Sequence, residues 1–508
     1  MRPRPDPVDV LVVGFGPVGA ALAGLLGQRG IDVLVLERDF EVFPLPRAAH
    51  VDHTGLRTWQ ELGLLDRLLP AMAANRGLDF LTADGELLAR IPGDQSSSSG
   101  LPTSMYFFQP ALDRTVREAV AAMPSVRVKL GTEVTAVTSA GDHVRVVAAA
   151  PGGGRLDVTA KWVVACDGAA SAIRDQIGFG VEDLHFEEPW LVVDLTLDGD
   201  PAQQAQPGRA ICRCDPRRPT YSIPMPAGRH RFEFRLMDGD DPDAMLQPSR
   251  IAELVTPWFP GRGFELERAA IYTFHGLVAG NWRHQRIFLA GDAAHQMPPF
   301  LGQGMCSGLR DGANLAWKLD LVLRGNAPDD LLNTYEEERR AHVRSVVESA
   351  VRIGRLICTI DPGEAAERDR QMLADPRPPA QRIAFTLPAL RAGPLVREHG
   401  GDLFVQPPGA DVRLDDVIGP RFAVLGRTQA LLGPGPADWW RGRLGAFVAA
   451  ASELPPAHAK GVLSWLDHHG SDIVVVRPDR YVLWAGSDLD DVTRKIAGGI
   501  LIPLLLDS

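Results

Sequence analysis

Two glycine-rich segments hold the residues best suited by type and spacing to bind an anionic ligand. The first, GFGPVG, contains Gly14, Gly16, Pro17 and Gly19. In such a segment the first glycine permits a tight turn, the second lets backbone N–H groups approach a pyrophosphate, and the third packs helix against strand. Glu37 ends the next apolar run, at the distance where a carboxylate binds ribose hydroxyls. Because that carboxylate would repel a 2′-phosphate, FAD or NAD is favoured over NADP here.

The second segment, GDAAHQMPPFLGQG, spans residues 291–304 and precedes a predicted helix. Asp292 can accept hydrogen bonds from polyol hydroxyls, and the helix dipole favours negative charge, such as the N1/C2=O edge of a reduced flavin. Two cradles therefore suit one long ligand, with the adenosine diphosphate half in the first and the ribityl and isoalloxazine half in the second. A structural β-turn-α connection is the alternative.

Other chemistries find little support in the residues. The five cysteines include no CxxC pair, and Cys212 and Cys214 have no histidine nearby, so we expect neither a metal site nor structural disulfides. No Ser/His/Asp constellation is evident, which fits a reaction carried by a cofactor. With a net charge of -11 and scattered arginines, we expect no nucleic-acid or membrane partner. No signal peptide is recognisable, and the terminal run IAGGILIPLLL is too short to span a bilayer, so a cytoplasmic location fits best.

The patterns around these segments indicate an α/β protein. VDVLVV, the helix after GFGPVG and IDVLVLE form a βαβ unit, and KWVVACDG ends another buried strand. Alternating runs such as RHRFEFRLM predict an antiparallel sheet. Residues 331–357 read as a long amphipathic helix, and DPRPPA near residue 375 as a linker. A serine run, residues 96–99, predicts a flexible surface loop.

These motifs, in this order, resemble the single-component (class A) flavin-dependent aromatic hydroxylases of the p-hydroxybenzoate hydroxylase fold. GFGPVG with Glu37 is similar to their FAD fingerprint. CDGAASAIR, residues 166–174, matches their DGxxSxxR motif, which touches FAD and is linked to nicotinamide use. GDAAHQMPPFLGQG matches the third motif, in which the aspartate binds the ribitol and the proline lies beside the isoalloxazine ring.

The resemblance implies a Rossmann-like FAD-binding domain (GR2 type), an inserted antiparallel-sheet substrate domain and a C-terminal thioredoxin-like domain. We place the FAD-binding domain at 1–178 and 281–375, the substrate domain at 179–280 with a contribution from 76–100, and the linker and C-terminal domain at 376–508. The last domain contains no cysteine, so thiol redox work is excluded there and a packing or oligomer role is left. The oligomeric state is open, with a homodimer as one option.

Site residues follow from the motifs and the resemblance together. The predicted noncovalent FAD contacts are Gly14, Gly16, Pro17, Gly19, Glu37, Arg38, Arg47, Gln109, Asp167, Gly168, Gly291, Asp292, Pro298, Gly302, Gln303, Gly304 and Met305. Arg47 and Pro298 are also candidates for catalysis, as is His275, whose distance from the third motif would place it near the flavin edge; an edge-strand role is equally open. Arg213, Tyr221, Arg235 and Tyr272 are candidates for the substrate cavity. His295 is expected to be a packed loop residue. Cys306, where many relatives have asparagine, is interpreted as variation at a helix start.

The activity implied is hydroxylation of a phenol. NADH or NADPH, bound transiently, reduces FAD; O2 adds at flavin C4a, and the hydroperoxide transfers one oxygen atom to the electron-rich ring. The branch containing 3-(3-hydroxyphenyl)propionate hydroxylases is most similar, through FEEPWLVVDL and IVVVRPDRYVLW. This favours a small phenol that bears a short side chain and is hydroxylated ortho to an existing hydroxyl. The alternatives are a larger polyketide-like substrate, an epoxidase or halogenase, the latter disfavoured because no WxWxIP segment exists, and a non-catalytic flavin sensor.

Overall fold

The computed structural model describes residues 7–93, 97–199, 208–383, 385–408 and 412–498. Three sheets dominate the fold, and helices pack around them. The helices are α1 (Pro17–Gln28), α2 (His53–Glu61), α3 (Leu65–Leu68), α4 (Gln109–Ala121), α5 (Ala172–Gln176), α6 (Pro242–Met245), α7 (Pro248–Val255), α8 (Gly304–Leu323), α9 (Asn333–Ile357), α10 (Pro362–Ala374), α11 (Pro379–Arg382), α12 (Leu414–Ile418), α13 (Gln429–Leu432), α14 (Pro434–Leu444), α15 (Pro456–His468) and α16 (Leu489–Ala497).

The first sheet has eight strands and a parallel centre. Its order is β17 (Arg283–His284), β18 (Ile287–Leu289), β11 (Gly154–Ala165), β1 (Val8–Val13), β2 (Val33–Leu36) and β8 (Val126–Lys129), while β10 (His143–Ala150) and β9 (Glu133–Ala140) form an antiparallel extension on β11. Strands β18, β11, β1, β2 and β8 run parallel. VDVLVV and VLVL are buried along almost their whole length, which is typical of parallel strands covered on both faces. This is the predicted Rossmann-like sheet.

The second sheet, which we call the substrate sheet, also has eight strands. Its order is β19 (His295–Gln296), β16 (Phe264–Ala279), β12 (Val181–Leu197), β15 (Arg229–Arg235), β14 (Thr220–Pro224), β13 (Ala210–Arg213), β5 (Gly77–Leu81) and β6 (Leu87–Pro92). All neighbouring strands are antiparallel except the β13–β5 pair. Strands β5 and β6 thus come from within the first third of the chain, before the main body of this sheet.

The two faces of the substrate sheet have different neighbours. Val193, Phe232 and Phe234 belong to an apolar cluster that packs under α6 and α7. Trp190 and Tyr221 lie on the other face, in the core shared with the Rossmann-like domain. We call this second face the inner face, because it points toward the 291–304 segment.

The C-terminal region forms a four-stranded sheet in the order β21 (Phe447–Ala450), β20 (Ala423–Gly426), β22 (Ile473–Val476) and β23 (Val482–Gly486). Strands β20 and β21 are parallel and are joined through α13 and α14, whereas β22 and β23 are antiparallel and lead into α16. This is the strand order and direction expected of a thioredoxin-like domain. A small sheet of β3 (His50–Asp52), β7 (Ser104–Tyr106) and β4 (Ala73–Ala74) lies beside α2.

The serine run and the C-terminal apolar run are described only in part. Most of the terminal apolar run, residues 499–506, lies outside the described residues, as does Ser96. Ser99, predicted in an exposed loop, is instead fully buried, with its hydroxyl 2.8 Å from His53 Nδ1 and its carbonyl accepting a hydrogen bond from Gln406. In the described part of the chain, no helix is both long and apolar enough to cross a membrane.

Candidate active site

The three glycines of the first motif occupy the turn between β1 and α1. Gly14 has φ +96°, and a Cβ there would lie 2.4 Å from the Cys166 carbonyl oxygen. A Cβ on Gly19 would lie 2.1 Å from the Gly14 carbonyl oxygen, so this position brings helix and turn into close contact. A Cβ on Gly16 would meet no atom within 4 Å. Its lack of a side chain therefore leaves free space at the N-terminus of α1, where a pyrophosphate can approach the backbone.

Glu37 ends β2 directly beside this turn. One carboxylate oxygen accepts a hydrogen bond from Phe15 N at 2.6 Å and the other from Asp39 N at 3.0 Å. Arg117 on α4 lies 3.7 Å from the same carboxylate and covers the Phe15 ring at 5.3 Å. The carboxylate is thus fixed at the adenosine end of the cradle, whereas the side chain of Arg38 is 68% exposed and points into solvent.

The second motif closes the cradle from β11. Asp167 Oδ2 accepts a hydrogen bond from Ile173 N, and Oδ1 is buried with no partner among the described residues. Burial raises the pKa of this carboxyl, opposed by Ser171 and the Ile173 amide. Arg174 donates to the Ala169 and Ala293 carbonyls, which ties the second motif to the third. An unpartnered buried oxygen beside Gly168, whose φ is +87°, is what a hydroxyl-bearing ligand would satisfy.

The third motif forms the loop between β18 and α8. Gly291 has φ +62°, and a Cβ there would lie 3.0 Å from Val18 of α1, so the loop packs closely against the first cradle. Asp292 beside it is exposed, so its carboxylate is open to a ligand. Pro298 is buried, and Gly302 turns in the left-handed region with a Cβ position 2.4 Å from His50 Nδ1. A Cβ on Gly304 would have Met297 Cγ as its nearest neighbour, at 4.0 Å, so the space beside this glycine is open.

A buried polar network fixes the end of this loop. Arg310 on α8 donates to Asp52 Oδ2 at 2.9 Å and to Gln303 Oε1 at 2.7 Å. Desolvation is the largest influence and raises the pKa of Asp52, but Arg310, His53, Thr54 and the Gly55 amide together lower it, and the pKa ends well below its usual range. The Gln303 side chain is therefore engaged with protein, which leaves its backbone to face a ligand. Cys306 is fully buried, accepts a hydrogen bond from Asp52 N, and has a pKa raised by desolvation, so it is a packed residue of the helix start.

His295 is also a packed residue. Its Nε2 lies 2.7 Å from Asp311 Oδ2, and its ring stacks on Trp282 at 5.4 Å. Asp311 in addition accepts hydrogen bonds from Gly291 N and Arg339. Burial alone would raise the pKa of Asp311, but His295 and Arg339 lower it below its usual value. The group supports the loop from beneath.

The segment 44–47 borders the opposite side of the cleft. Gln109 Oε1 accepts hydrogen bonds from Arg47 N at 2.8 Å and Ala48 N at 2.6 Å, so the glutamine shapes this segment through its backbone. The Arg47 side chain is exposed and covers the Phe43 ring at 5.1 Å. On the other side, Arg231 of the substrate sheet donates to the Pro46 and Arg47 carbonyls at 2.7 and 2.8 Å.

Taken as a binding surface, these residues fit FAD. The free space at Gly16, the fixed carboxylate of Glu37, the unpartnered Asp167 oxygen and the exposed Asp292 follow one another from the first cradle to the second. Among the residues described, no group of three or more His, Cys, Asp or Glu side chains could hold a metal ion.

The inner face of the substrate sheet meets the third motif at Phe300. This ring lies 5.6 Å from Tyr221, 5.4 Å from Trp190 and 6.1 Å from Phe274. Tyr221 also donates a long hydrogen bond of 3.4 Å to the Phe300 carbonyl. An aromatic wall therefore stands next to the loop that resembles the isoalloxazine site, and Tyr272 lies on the same face as the register partner of Trp190.

The other three predicted substrate residues each contact a protein partner. Arg213 lies 4.7 Å over the Trp258 ring, on the face opposite Tyr221, because alternate residues of a strand point to opposite faces. Arg235 is on the inner face but is paired with Glu188 at 2.7 Å. Tyr272 contacts the Arg268 guanidinium through its hydroxyl.

The expected position of His275 near the flavin edge has to be corrected. His275 is the register partner of the exposed Glu187 and follows Phe274, which points to Phe300, so strand alternation directs His275 to the outer face. The distance along the sequence was compatible with a place near the cleft, but only the register fixes which way the side chain points.

Sequence reasoning missed Asp113, Arg117 and Glu233. Gln109, Asp113 and Arg117 are spaced four residues apart on α4, and this spacing puts them on one helix face beside Glu37 and Arg47. That periodicity was readable from the sequence. Glu233, in the strand RHRFEFR, had no such signal, because the choice between the two faces of the strand depends on its pairing.

Comparisons with known proteins bear on the whole chain. Residues 7–350 match the FAD binding domain family, and residues 401–498 match the HcaD C-terminal domain family. The chain is 37% identical over 495 residues to a probable NADH-specific resorcinol 4-hydroxylase of Rhodococcus jostii (strain RHA1), covering 95% of this chain and 92% of that protein. It is 36% identical over 510 residues to a 3-(3-hydroxy-phenyl)propionate/3-hydroxycinnamic acid hydroxylase of Escherichia coli O157:H7 (strain EC4115 / EHEC), covering 94% and 91%.

Solved structures share the fold. The ternary complex of aklavinone-11 hydroxylase with FAD and aklavinone superposes with a TM-score of 0.78 at 24% identity, covering 98% of this chain and all of that one. The flavin-dependent monooxygenase PieE, in complex with FAD and substrate, gives a TM-score of 0.79 at 21% identity, covering 97% and 99%. The three-part architecture is thus common to all three chains.

Proposed function

This chain belongs to the FAD binding domain family and is an FAD-dependent aromatic hydroxylase, and from that premise we propose that its substrate is a small phenol without a carboxylate, hydroxylated ortho to an existing hydroxyl. Two kinds of cavity are chemically possible: a site with a cationic contact for the carboxylate of a phenolic acid, or an apolar site for a neutral phenol. The inner face of the substrate sheet favours the neutral phenol.

The observation that carries this choice is the pairing of the arginines. Strands β15 and β16 contribute four arginines to or beside the inner face, and each has a carboxylate partner: Arg229 with Glu267, Arg231 and Arg268 with Asp194, and Arg235 with Glu188. The Arg229–Glu267 pair is partly exposed, but at the other arginines a substrate carboxylate would have to break a largely buried pair, which would leave another charge unpaired. Arg47 remains exposed, but the resemblance assigns it to the cofactors.

The aromatic wall supports the same choice. Trp190, Tyr221, Phe274 and Phe300 pack on one another as an apolar cluster beside the 291–304 segment, a surrounding that suits an aromatic ligand held mainly by burial and ring contacts. The R. jostii relative, by its name a resorcinol hydroxylase, has identity similar to that of the phenylpropionate hydroxylase. We favour NADH as the reductant because that relative is named NADH-specific.

Bound FAD supplies electron transfer from the nicotinamide and the activation of O2. The chain itself positions the reactants. Glu37 and the open turn at Gly16 would hold the adenosine diphosphate half, Asp292 would hold the ribitol, and the Pro298–Gly304 loop would hold the ring.

The test is a product assay on the purified holoenzyme. NADH oxidation, product formation and hydrogen peroxide release are measured with resorcinol, phenol and 3-(3-hydroxyphenyl)propionate, and again with NADPH. We expect ortho-hydroxylated product from a neutral phenol, with little from the acid. Product from the acid alone would contradict the proposal, and product from none of the three would point to a larger natural product.

The cellular setting is proposed on separate grounds. All five cysteines are free in the described structure, which is consistent with a reducing cytoplasm. A homodimer remains a prediction that a mass measurement in solution would decide.

A further inference from the structure

Glu233 is a buried carboxylate on the inner face that the cofactor motifs leave without a role. It lies in the middle of β15, with Tyr221 as its register partner on β14 and Val192 on β12. Glu233 is 5% exposed. Glu233 is thus the neighbour of Tyr221 on the inner face, and the Tyr221 ring stacks on Phe300 of the 291–304 segment.

The charged neighbours of Glu233 are committed to each other. Arg231, two residues away on β15, bonds Asp194 of β12 at 2.7 and 3.1 Å, and Arg268 of β16 lies 3.3 Å from the same carboxylate. Both arginines also donate to the Pro46 carbonyl. In the described part of the chain, no residue donates a hydrogen bond to Glu233 or forms an ion pair with it. The Glu233 carboxylate oxygens can therefore accept a hydrogen bond from a ligand hydroxyl.

The titratable groups facing Glu233 are Arg231 on its own strand, Asp194 on β12, Arg268 on β16 and Tyr221 on β14. Burial is the largest influence and raises the pKa of Glu233, Arg231 and Arg268 lower it, and Asp194 raises it; the result is about 7. A carboxylate with such a pKa is a stronger base than an exposed one and is ionised at slightly alkaline pH.

We propose that Glu233 binds the hydroxyl of the phenolic substrate and accepts its proton. This inference rests on the proposed function. In the step, the substrate O–H bond breaks, the proton passes to a Glu233 carboxylate oxygen, and the electron pair stays on the aromatic oxygen as a phenolate; the proton returns to that oxygen when the product forms. The phenolate has a more electron-rich ring than the neutral phenol.

The pH dependence follows from the direction of the shift. Below about pH 7 the carboxyl is protonated and cannot accept the proton, so ionisation of the bound phenol and kcat/KM should both fall as the pH drops from 8 to 6. A glutamine at this position neither titrates nor accepts a proton, so this dependence should disappear in Glu233→Gln.

The experiment compares wild type, Glu233→Gln, Glu233→Asp and the control Glu187→Gln, which changes an exposed glutamate on the outer face. The first readout is the near-ultraviolet difference spectrum of resorcinol bound to the holoenzyme. We expect a phenolate signal that grows with pH in wild type and Glu187→Gln, and a neutral phenol signal in Glu233→Gln. The second is kcat/KM at pH 8, which should fall by about 100-fold or more in Glu233→Gln and be partly restored in Glu233→Asp.

Each result is decisive for one of the two proposals. A Glu233→Gln protein that keeps FAD and shows the wild-type phenolate signal overturns the role of Glu233. If that variant loses FAD, the other measurements decide: a bound-phenol signal in wild type that is constant between pH 6 and 8 overturns it equally. If wild type turns over no phenol, the proposed function fails, whereas normal wild-type turnover with an unchanged Glu233→Gln protein refutes only this inference.

Discussion

Single atoms decide the chemistry of the first cradle. The three glycines of GFGPVG look alike in the sequence, yet each solves a different steric problem. A Cβ on Gly14 or Gly19 would collide with a backbone oxygen, at 2.4 and 2.1 Å respectively. A Cβ on Gly16 would meet no protein atom within 4 Å. The first two are therefore required by the fold, and the third by the ligand.

Alanine substitutions should separate these two requirements. We expect Gly14→Ala to lower the free energy of unfolding of the apoprotein by about 1–3 kcal/mol, because φ +96° and the Cys166 carbonyl both oppose a side chain. Gly16→Ala should leave apoprotein stability nearly unchanged and raise the FAD dissociation constant about tenfold, equivalent to about 1.4 kcal/mol. Urea unfolding and FAD fluorescence titration measure the two effects. Equal stability losses in both variants would contradict this assignment.

At the scale of elements, strand β15 of the substrate sheet is linked to segment 44–47 at the side of the cleft. Arg231 on β15 holds the carbonyls of Pro46 and Arg47 while it is itself held by Asp194. The segment that places Arg47 at the cleft is thus fixed from the substrate side. A substrate that shifts the sheet would also shift this segment. The substrate sheet and segment 44–47 are therefore mechanically connected.

This connection predicts an effect on the control of NADH oxidation. The family resemblance implies that the flavin is reduced quickly only when the aromatic substrate is bound. Lysine has a single donor centre and cannot reproduce the forked contact of Arg231 with two carbonyls and a carboxylate. In Arg231→Lys we therefore expect NADH oxidation without substrate to rise several-fold and coupling to product to fall.

Stopped-flow reduction of the flavin at 450 nm, with and without a phenol, measures this effect. Arg229→Lys, on the same strand but paired with Glu267, is the matched control. If the rate of flavin reduction without substrate is the same in Arg231→Lys as in wild type, Arg231 does not connect the substrate sheet to the control of reduction.

At the scale of the whole molecule, the C-terminal domain is joined by buried ion pairs to α9, which in turn contacts α8, the helix after the 291–304 segment. Arg477 donates to both Glu338 oxygens on α9 at 2.9 and 2.8 Å, and to Asp479. Lys318 on α8 reaches the same Glu338 at 2.9 Å. A second buried pair, Arg57 with Asp415 at 2.7 Å, attaches α2 to α12. Since the domain has no cysteine, these contacts are its visible contribution to the site.

Breaking the first network should destabilise the whole protein. Arg477→Met leaves Glu338 and Asp479 buried with too little positive charge, and we expect a loss of about 3–5 kcal/mol. The exposed pair of Arg494 and Asp490 in the same domain provides the control, because Arg494→Met should cost less than about 1 kcal/mol. Thermal and urea unfolding of the holoenzyme report both values.

The same network sets an acid limit. Burial alone would raise the pKa of Glu338, but Arg477 and Lys318 lower it to about 2. A lowered pKa means that the stabilisation is complete above the ordinary value near 4.5 and is lost as the pH falls toward 2. In Arg477→Met this part of the acid dependence should shrink; an unchanged stability profile between pH 5 and 3 would contradict the assignment.

Local chemistry made the cofactor domain readable from the sequence alone. The turn at Gly14, the helix start at Pro17 and the carboxylate of Glu37 depend on residues close together along the chain, so type and spacing predict the βαβ unit and its ligand. The same holds for the third motif, where Asp292 and the glycines precede α8 directly. The Rossmann-like domain, the antiparallel sheet and the cysteine-free C-terminal domain all followed from such patterns and from the resemblance.

The substrate side was decided only by the tertiary structure. Strand pairing fixes which residues of a strand share a face, and a shift of one residue reverses every side chain. For that reason His275 and Arg213 point away from the inner face, while Glu233 points into it. Ser99 shows the same limit for a loop: polar residues predict exposure, but a second domain covers this one through Gln406. Local sequence specifies turns and cradles, whereas long-range packing determines which side chains meet across them.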